Sequence, residues 1–392
     1  MGEGIRVGRI LGINIHVDWS WLFVFALITW SLANTIGQFR ADWAPWVTWG
    51  LAALAALLFF ASVLAHELAH SLVARSQGLP VRHIMLFIFG GVSNIQREPD
   101  SPGGEFVMAI VGPLTSLVIG AALLLAAGLN VVAVGGLIQR PQDLLATLGL
   151  AGALALWLGS VNLLLGLFNL VPAFPLDGGR VVRSLFWALT GNLPRATRWA
   201  TAIGQGIAWM FILGGIAMVF GAEIPLLGSG LINGLWLAFI GWFLSNAAAR
   251  SYRHVVIQDI LADVPVSTIM RRNPPVVPPD ISVSVLVHEH VMGSDDYGFP
   301  VVEQGALVGL VTLEDVRSVD RSRWDSLTVR GIMTPREELL TVTSGDDGAT
   351  AFNTLMQRDV RQIPVLENGQ LIGLLRRNDL VRWLQLQSQA EV

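Results

Sequence analysis

Six long apolar segments constrain the fold of this 392-residue chain more than any other feature. A helix needs about 20 predominantly apolar residues to cross a bilayer. Six stretches have that length, at 18–36, 47–74, 105–128, 147–171, 199–221 and 228–249. Residues 81–96 are apolar but short and glycine-rich, which predicts a β-hairpin, and the weak alternation in 7–17 predicts a further strand. The sequence therefore predicts a polytopic α-helical membrane protein with about six transmembrane helices and short membrane-associated β-strands.

The two ends of the chain differ in composition. Residues 1–250 contain only 10 of the 29 acidic residues but 12 of the 14 tryptophans. This asymmetry predicts a membrane domain over 1–250 followed by a soluble, acidic region. The net charge of −4 gives no reason to expect nucleic acid as a partner. The absence of cysteine excludes disulfides and thiolate metal ligands.

The distribution of arginine, which supplies all 25 basic residues, predicts the orientation in the membrane. Eleven arginines lie in the N-terminal segment, in every second connection or just after the last apolar segment, whereas the alternate loops hold only Arg40 and Arg140. Positively charged loops remain on the cytoplasmic side. We therefore expect a multi-pass protein of the plasma membrane with both termini in the cytoplasm.

An internal repeat occupies the C-terminal region. "GFPVVEQGALVGLVTLEDV" at 298–316 matches "QIPVLENGQLIGLLRRNDL" at 362–380, and "STIMRRNPPVV" at 267–277 matches "RGIMTPREELL" at 330–340. This pattern resembles a pair of α/β CBS domains, which pack as one pseudo-symmetric module that binds adenosine nucleotides. The predicted boundaries are a linker at 251–263, a first CBS domain at 264–322 and a second at 327–387.

The CBS resemblance implies candidate nucleotide-binding residues. The pattern G-x-x-T-x-x-D places Thr312 and Asp315 of the first repeat near the ribose and phosphates of a nucleotide. The second repeat keeps the corresponding Asp379 but has Arg376 in place of threonine. Arg376 either contacts phosphate or disables that site. The alternative is a C-terminal region that serves only to pack a homodimer.

Two histidines and a glutamate interrupt the second apolar segment, in "SVLAHELAHSLVAR" at 62–75. Residues four apart lie on one face of a helix, so His66 and His70 can bind one metal ion. Glu67 is one residue further round and suits a carboxylate that moves a proton beside the metal. Alternatively, neighbouring carbonyls satisfy two buried histidines without a metal. Ionisable residues are rare in membrane helices, which favours a functional site.

Asp177 is the candidate for a third ligand, because catalytic zinc has three protein ligands. Helix four runs in the same direction as helix two and delivers "LFNLVPAFPLDGGR", 167–180, at the same side of the membrane. Asp177 is the only carboxylate there, and the prolines and glycines around it predict a non-helical turn. A local turn bond is the alternative role for Asp177, and His83 is the next candidate ligand.

H-E-x-x-H in one membrane helix with N-x-x-P-x-x-P-L-D-G-G in a later one resembles the site-2 protease family of intramembrane zinc metalloproteases. "FGGVSN" at 89–94 and "GPLTS" at 112–116 are also similar to that family. The resemblance implies one zinc ion per chain, held by His66, His70 and Asp177, with Glu67 as acid/base and Asn169 near the reacting centre. The implied substrates are transmembrane segments of regulatory membrane proteins.

Ser116 departs from the family pattern, which often has asparagine at this position in helix three. A hydroxyl still forms hydrogen bonds, so the departure puts only a polar catalytic role at this position in doubt.

Two other functions remain open on the sequence alone. One is a membrane transporter or channel gated by CBS domains, and the other is a metal-binding pseudo-enzyme that sequesters its substrate. Transport requires charged residues spread along a pathway, whereas here they converge on one hydrolytic constellation that includes an intact Glu67. The sequence therefore favours the intramembrane protease, modulated by a nucleotide.

Overall fold

The computed structural model describes residues 4–40, 42–88, 90–95, 97–133, 149–225, 228–358 and 360–388. The chain divides into two compact units, Met1–Tyr252 and Arg253–Val392. Phe89 and Gln96 of the predicted hairpin lie outside the described residues.

Long helices dominate the first unit. Its helices are α1 Trp19–Phe39, α2 Pro45–Ser76, α3 Pro102–Ala133, α4 Leu150–Asn169, α5 Asp177–Thr190, α6 Leu193–Val219 and α7 Leu231–Leu261, of which residues 231–252 belong to this unit. Among the described residues, all of these except the shorter α5 are long and apolar enough to cross a membrane. The prediction of a multi-pass membrane protein with six spans is therefore confirmed.

The first unit carries large apolar side chains on its surface and small ones inside. Exposed residues include Trp46, Leu125, Phe220, Ile232 and Trp236. Fully buried positions are often alanine, as at Ala52, Ala56, Ala109, Ala200 and Ala208. Lipid tails solvate leucine as well as a protein interior does, so small residues are placed where helices approach each other.

A four-stranded sheet accompanies the helices, formed by β1 Ile5–Ile10, β2 Ile13–Val17, β3 Val81–Phe87 and β4 Gly90–Ile95. Neighbouring strands are antiparallel except β2 and β3, which are parallel. The hairpin expected over 81–96 is present as β3 and β4. The single strand expected over 7–17 is wrong, because Leu11 and Gly12, with φ of 48° and 84°, reverse the chain and create a second hairpin.

The segment around Asp177 also differs from the expectation of a non-helical turn. Asp177 is the first residue of α5, and Gly178 and Gly179 lie within its first turn. A Cβ on Gly178 would lie 2.3 Å from the Leu170 carbonyl oxygen and 2.4 Å from that of Val171. Glycine at 178 therefore permits the start of α5 to pack directly on the turn that follows α4.

The second unit contains short helices and two sheets of short strands. Its strands are β5 Arg271–Arg272, β6 Gly298–Glu303, β7 Ala306–Thr312, β8 Thr334–Pro335, β9 Val342–Thr343, β10 Gln362–Glu367 and β11 Gln370–Arg376. Its helices are α8 Val266–Ile269, α9 Val283–Val285 with a wider turn Leu286–Val291, α10 Leu313–Arg317, α11 Gly348–Gln357 and α12 Arg377–Ser388. Each repeat has its own buried core, around Phe299 and Val301 in the first and Ile363 and Val365 in the second.

The two repeats exchange strands in a reciprocal way. β5 precedes the first repeat's hairpin in sequence but pairs with β11 of the second, Gly373 opposite Arg272. β8 precedes the second repeat's hairpin but pairs with β7 of the first, Gly309 opposite Pro335. The repeats therefore form one pseudo-symmetric module, as expected of a CBS pair.

The segment expected to be a linker, 251–263, is largely helical. Helix α7 continues through Leu261, which is fully buried in the core of the second repeat.

Replacing Gly178 with alanine should destabilise the protein, because the methyl group would overlap two backbone carbonyls. Overpacking of this kind costs about 1–3 kcal/mol. Gly206→Ala in α6 is the matched control, since no described atom lies within 4 Å of its Cβ position. Thermal unfolding of the purified proteins in detergent should show a lower Tm for Gly178→Ala alone. Equal Tm values for the two variants would contradict the packing described for α5.

Candidate metal centre

The C-terminal third of α2 places two histidines on one buried face. His66 and His70 are 5% and 6% exposed. They are four residues apart, slightly more than one helical turn, so their rings point the same way. The two Nε2 atoms are 3.2 Å apart. The pair therefore offers two nitrogen lone pairs to one point inside the bundle.

Asp177 comes from the first turn of α5 to meet this pair. Its Oδ2 lies 3.1 Å from His66 Nε2 and 3.2 Å from His70 Nε2, so the three atoms form a nearly equilateral triangle. Ligands of a tetrahedral zinc ion at its usual bond lengths are about 3.3 Å apart. Among the described residues, this is the one group of three His or acidic side chains with metal-compatible spacing. The donor set and its dimensions fit a zinc ion.

Helix α3 orients both imidazole rings through contacts to their Nδ1 atoms. His70 Nδ1 is 2.6 Å from the Met108 carbonyl oxygen. Because a carbonyl only accepts, Nδ1 carries the proton, and the Nε2 of a neutral ring is free to bind a metal. His66 Nδ1 lies 2.9 Å from Ser116 Oγ, and this hydroxyl oxygen can likewise accept a hydrogen bond from the ring. Ser116, whose polar role the sequence left in doubt, is thus fully buried against a candidate ligand.

Gly112 of α3 leaves the space in front of the triangle open. A Cβ at this position would lie 2.1 Å from His70 Nε2 and 2.7 Å from His66 Nε2. Any side chain larger than hydrogen would therefore press on the two nitrogens that face Asp177.

Glu67 is next to His66 in the sequence, but its side chain contacts strand β4. Ser93 of β4 donates a hydrogen bond to Glu67 Oε2 at 2.7 Å, and Ser71 donates in turn to Ser93 at 3.0 Å. The backbone of Gly91 packs against the same side chain. The β3–β4 hairpin therefore holds the Glu67 carboxylate in place, a contact that nothing in the sequence indicated.

The carboxyl group of Asp177 is held in its ionised form. Burial raises its pKa, but the imidazoles of His66 and His70 beside it outweigh this effect and hold the pKa well below the ordinary value. An ionised carboxylate is the form that binds a metal cation.

The remaining predicted residues of the first unit are placed elsewhere. Asn169 is the last residue of α4, and its amide donates to the Leu165 carbonyl oxygen of the same helix at 2.9 Å. His83 lies on β3, where its ring centroid is 4.9 Å from that of His16. Neither belongs to the metal-compatible group of the described residues.

The predicted nucleotide-binding residues lie in two different settings. Thr312 lines a cavity of about 490 Å³ between the repeats, together with Tyr297, Arg317, Arg358 and Arg361. Asp315 holds Thr312 in place, because its carboxylate accepts hydrogen bonds from the Thr312 amide at 2.8 Å and from the Thr312 hydroxyl at 2.7 Å.

Asp379 of the second repeat is held by an internal ion pair instead. Both of its carboxylate oxygens accept from the Arg376 guanidinium, at 2.7 and 2.8 Å. The same guanidinium donates to Asp296 at 2.8 Å, and Arg271 also donates to Asp296 at 2.5 Å.

Gly112→Ala should remove metal from the protein, because the methyl group displaces His70 Nε2 from the triangle. We expect an affinity for divalent zinc at least about tenfold lower, as for other disturbances of ligand orientation. Gly128→Ala in the same helix is the control, since no described atom lies within 4 Å of its Cβ. Metal analysis after dialysis at fixed free zinc measures both. Equal zinc content in the two variants would contradict the geometry.

Comparison with known proteins identifies both regions of the chain. The sequence profile of Peptidase family M50 matches residues 54–213, which contain His66, Glu67, His70 and Asp177. The profile of the CBS domain matches twice, at residues 266–322 and 329–386.

Two relatives are similar over nearly the whole chain. Protein sll0528 of Synechocystis is 33% identical over 390 residues, which cover 98% of this chain and 96% of that protein. Zinc metalloprotease MJ0392 of Methanocaldococcus jannaschii is 30% identical, with 98% of this chain and 97% of that protein covered. A solved site-2 protease from Methanocaldococcus jannaschii, 27% identical, covers 63% of this chain and 94% of its own at a TM-score of 0.40. The chain thus belongs to peptidase family M50, the site-2 protease family, and carries a pair of CBS domains.

Proposed function

We propose that this protein is an intramembrane zinc endopeptidase that binds one zinc ion through His66, His70 and Asp177. The observation that carries the proposal is the triangle of donor atoms, 3.1–3.2 Å on each side, among helices apolar enough to cross a membrane. Membership of a peptidase family supports peptide-bond hydrolysis, and the relative MJ0392 is named a zinc metalloprotease. A zinc ion at this point supplies a Lewis acid for attack on a peptide carbonyl.

Glu67 acts as the general acid/base in this proposal. It takes a proton from the attacking water and passes it to the nitrogen of the leaving amine. Ser93 binds only one carboxylate oxygen, Oε2, which leaves Oε1 to exchange the proton. The orientation of Glu67 by β4 supports this role, because an acid/base must be held within hydrogen-bond reach of its partner.

The substrate is a transmembrane segment of a regulatory membrane protein, bound in extended form. A helical substrate hides its carbonyls, so it must unwind before cleavage. Among the described residues, no strand pairs with the outer edge of β4, and this strand contacts Glu67 through Gly91 and Ser93. A substrate that adds to this edge as a further strand lies beside the catalytic carboxylate.

Asn169 binds the substrate or a developing oxyanion in this scheme. Its amide already donates one hydrogen bond, to Leu165 of its own helix. The second N–H remains for a substrate carbonyl, since a side-chain amide carries two donors.

The CBS pair modulates proteolysis by binding an adenosine nucleotide. Arg317, Arg358, Arg361 and Tyr297 line the 490 Å³ cavity beside Thr312 and suit phosphates and a ring. Glu314 and Glu338 also line it, so the arginines exceed the acidic residues by one. Asp379 can contribute only if the nucleotide displaces Arg376, whose guanidinium occupies both of its oxygens. The first-repeat site, with Thr312 and Asp315, is therefore the one that a nucleotide occupies first.

We also propose a membrane location and an oligomeric state for the enzyme. The enzyme resides in the plasma membrane with both termini in the cytoplasm, as the eleven arginines on one side favour. It forms a homodimer through its CBS domains.

Glu67→Gln should abolish cleavage and leave zinc in place, because glutamine keeps the shape of the side chain but cannot move a proton. We expect a loss of about 10²-fold or more in the rate of cleavage of a model transmembrane substrate. The exposed Glu223→Gln is the control and should cleave normally. A near wild-type rate in Glu67→Gln with full zinc occupancy would refute the acid/base role.

Thr312→Ala should weaken nucleotide binding to the full-length protein and reduce its effect on cleavage. The change removes a hydroxyl from the cavity but also the N-cap of α10. Asp347→Ala is the matched control, because it removes the N-cap of α11. Calorimetry with ATP, ADP and AMP should show about tenfold weaker binding for Thr312→Ala alone, roughly the loss of one hydrogen bond. Identical binding by both variants would place the nucleotide elsewhere.

A further inference from the structure

A buried ion pair joins α5 to α3 close to the metal centre. Arg183 and Glu105 are 2% and 0% exposed, and Arg183 Nε lies 2.6 Å from Glu105 Oε1. Glu98, from the segment between β4 and α3, approaches the same guanidinium at 3.2 Å, and Arg180 Nε lies 3.7 Å from Glu105 Oε1. Four charged side chains thus meet where α5 contacts α3.

Stability alone does not explain such a pair. Removing two charges from water costs several kcal/mol, and well-packed apolar residues in their place are often as stable or more so. What an ion pair supplies beyond an apolar contact is direction, because a guanidinium fixes the angle and distance of its carboxylate.

The two helices joined by this pair hold Asp177 and the groups that orient the two histidines. Helix α5 carries Asp177, six residues before Arg183, or about 9 Å along the helix axis. Helix α3 carries Glu105, and one turn later the Met108 carbonyl that orients His70, then Gly112 and Ser116. The position of α5 on α3 therefore determines where Asp177 Oδ2 lies relative to the histidine nitrogens.

We propose that Arg183 and Glu105 are positioning residues that set the third ligand of the metal centre. The inference rests on the proposed function, in which His66, His70 and Asp177 bind zinc. Helix α5 has only 14 residues, and the ion pair fixes its translation and rotation against α3. Without the pair, α5 still packs but Asp177 no longer completes the triangle with a fixed geometry.

The test compares the full-length wild type with the double variant Arg183→Met/Glu105→Met, which keeps packing volume and removes both charges. We expect an unchanged Tm of the metal-free protein, a zinc affinity about tenfold lower and an altered visible spectrum of bound Co²⁺. Arg198→Met, at an exposed position of α6, is the control and should match the wild type in all three measurements. Asp177→Ala is measured in parallel, because its zinc affinity and Co²⁺ spectrum are those of a site that lacks its third ligand.

The outcomes separate this inference from the proposed function. A wild-type protein that binds no zinc, or an Asp177→Ala variant with undiminished affinity, refutes the proposed ligand set itself. A double variant with wild-type zinc affinity and Co²⁺ spectrum overturns the positioning role alone. If the double variant does not fold, Arg183→Lys replaces it, because lysine keeps the charge but reaches Glu105 and Glu98 with a single nitrogen. A wild-type Co²⁺ spectrum and zinc affinity in Arg183→Lys then overturn the inference.

Discussion

The contact of Asp177 with His66 and His70 joins residues more than 100 positions apart inside a bundle with an apolar surface. Ionisable groups in such an interior are stable only when they are paired with one another or with a metal. Several features around the metal centre can be understood from this requirement. Ser116 and the Met108 carbonyl engage the outer nitrogens of the imidazoles, Gly112 leaves room at the inner ones, and Gly178 lets α5 approach closely enough to deliver the carboxylate.

In the proposed function, the small sheet connects this centre to the substrate. Helices satisfy their own backbone groups and offer no hydrogen bonds to an unwound chain, whereas a sheet edge does. Strand β4 has one face on α2, where Ser93 binds Glu67, and among the described strands it has a free edge. One short strand thus holds the acid/base and presents the surface on which we propose that substrate is extended.

The sequence predicted those features that depend on local pattern. Hydropathy alone located the six spans, the i, i+4 spacing of His66 and His70 placed them on one face, and the repeat in the C-terminal region indicated the paired CBS fold. A longer argument, from helix direction and the scarcity of acids in the membrane half, predicts that Asp177 lies beside the two histidines, as it does in the structure, and its role as a ligand stays a prediction. The helical start of α5 was missed because two glycines and two prolines around Asp177 indicate a turn, and only the close packing at Gly178 shows otherwise.

Contacts between distant segments were beyond local reasoning. Ser93 and Glu105 are unremarkable in the sequence, and a backbone carbonyl such as that of Met108 leaves no trace in it at all. In the second repeat, the sequence left open whether Arg376 contacts phosphate or disables the site. In the structure its guanidinium is already paired with Asp379. The role of Asn169 remains a prediction, since its present hydrogen bond lies within its own helix.

The most direct test of the account is to locate the metal by anomalous diffraction at the zinc edge, with crystals of the full-length protein. We predict one peak per chain, about 2.0–2.1 Å from the Nε2 atoms of His66 and His70 and about 2.0–2.2 Å from a carboxylate oxygen of Asp177. Glu67 should lie outside bonding distance. A peak bound by Glu67 or His83 in place of Asp177, or no peak between α2 and α5, would contradict it.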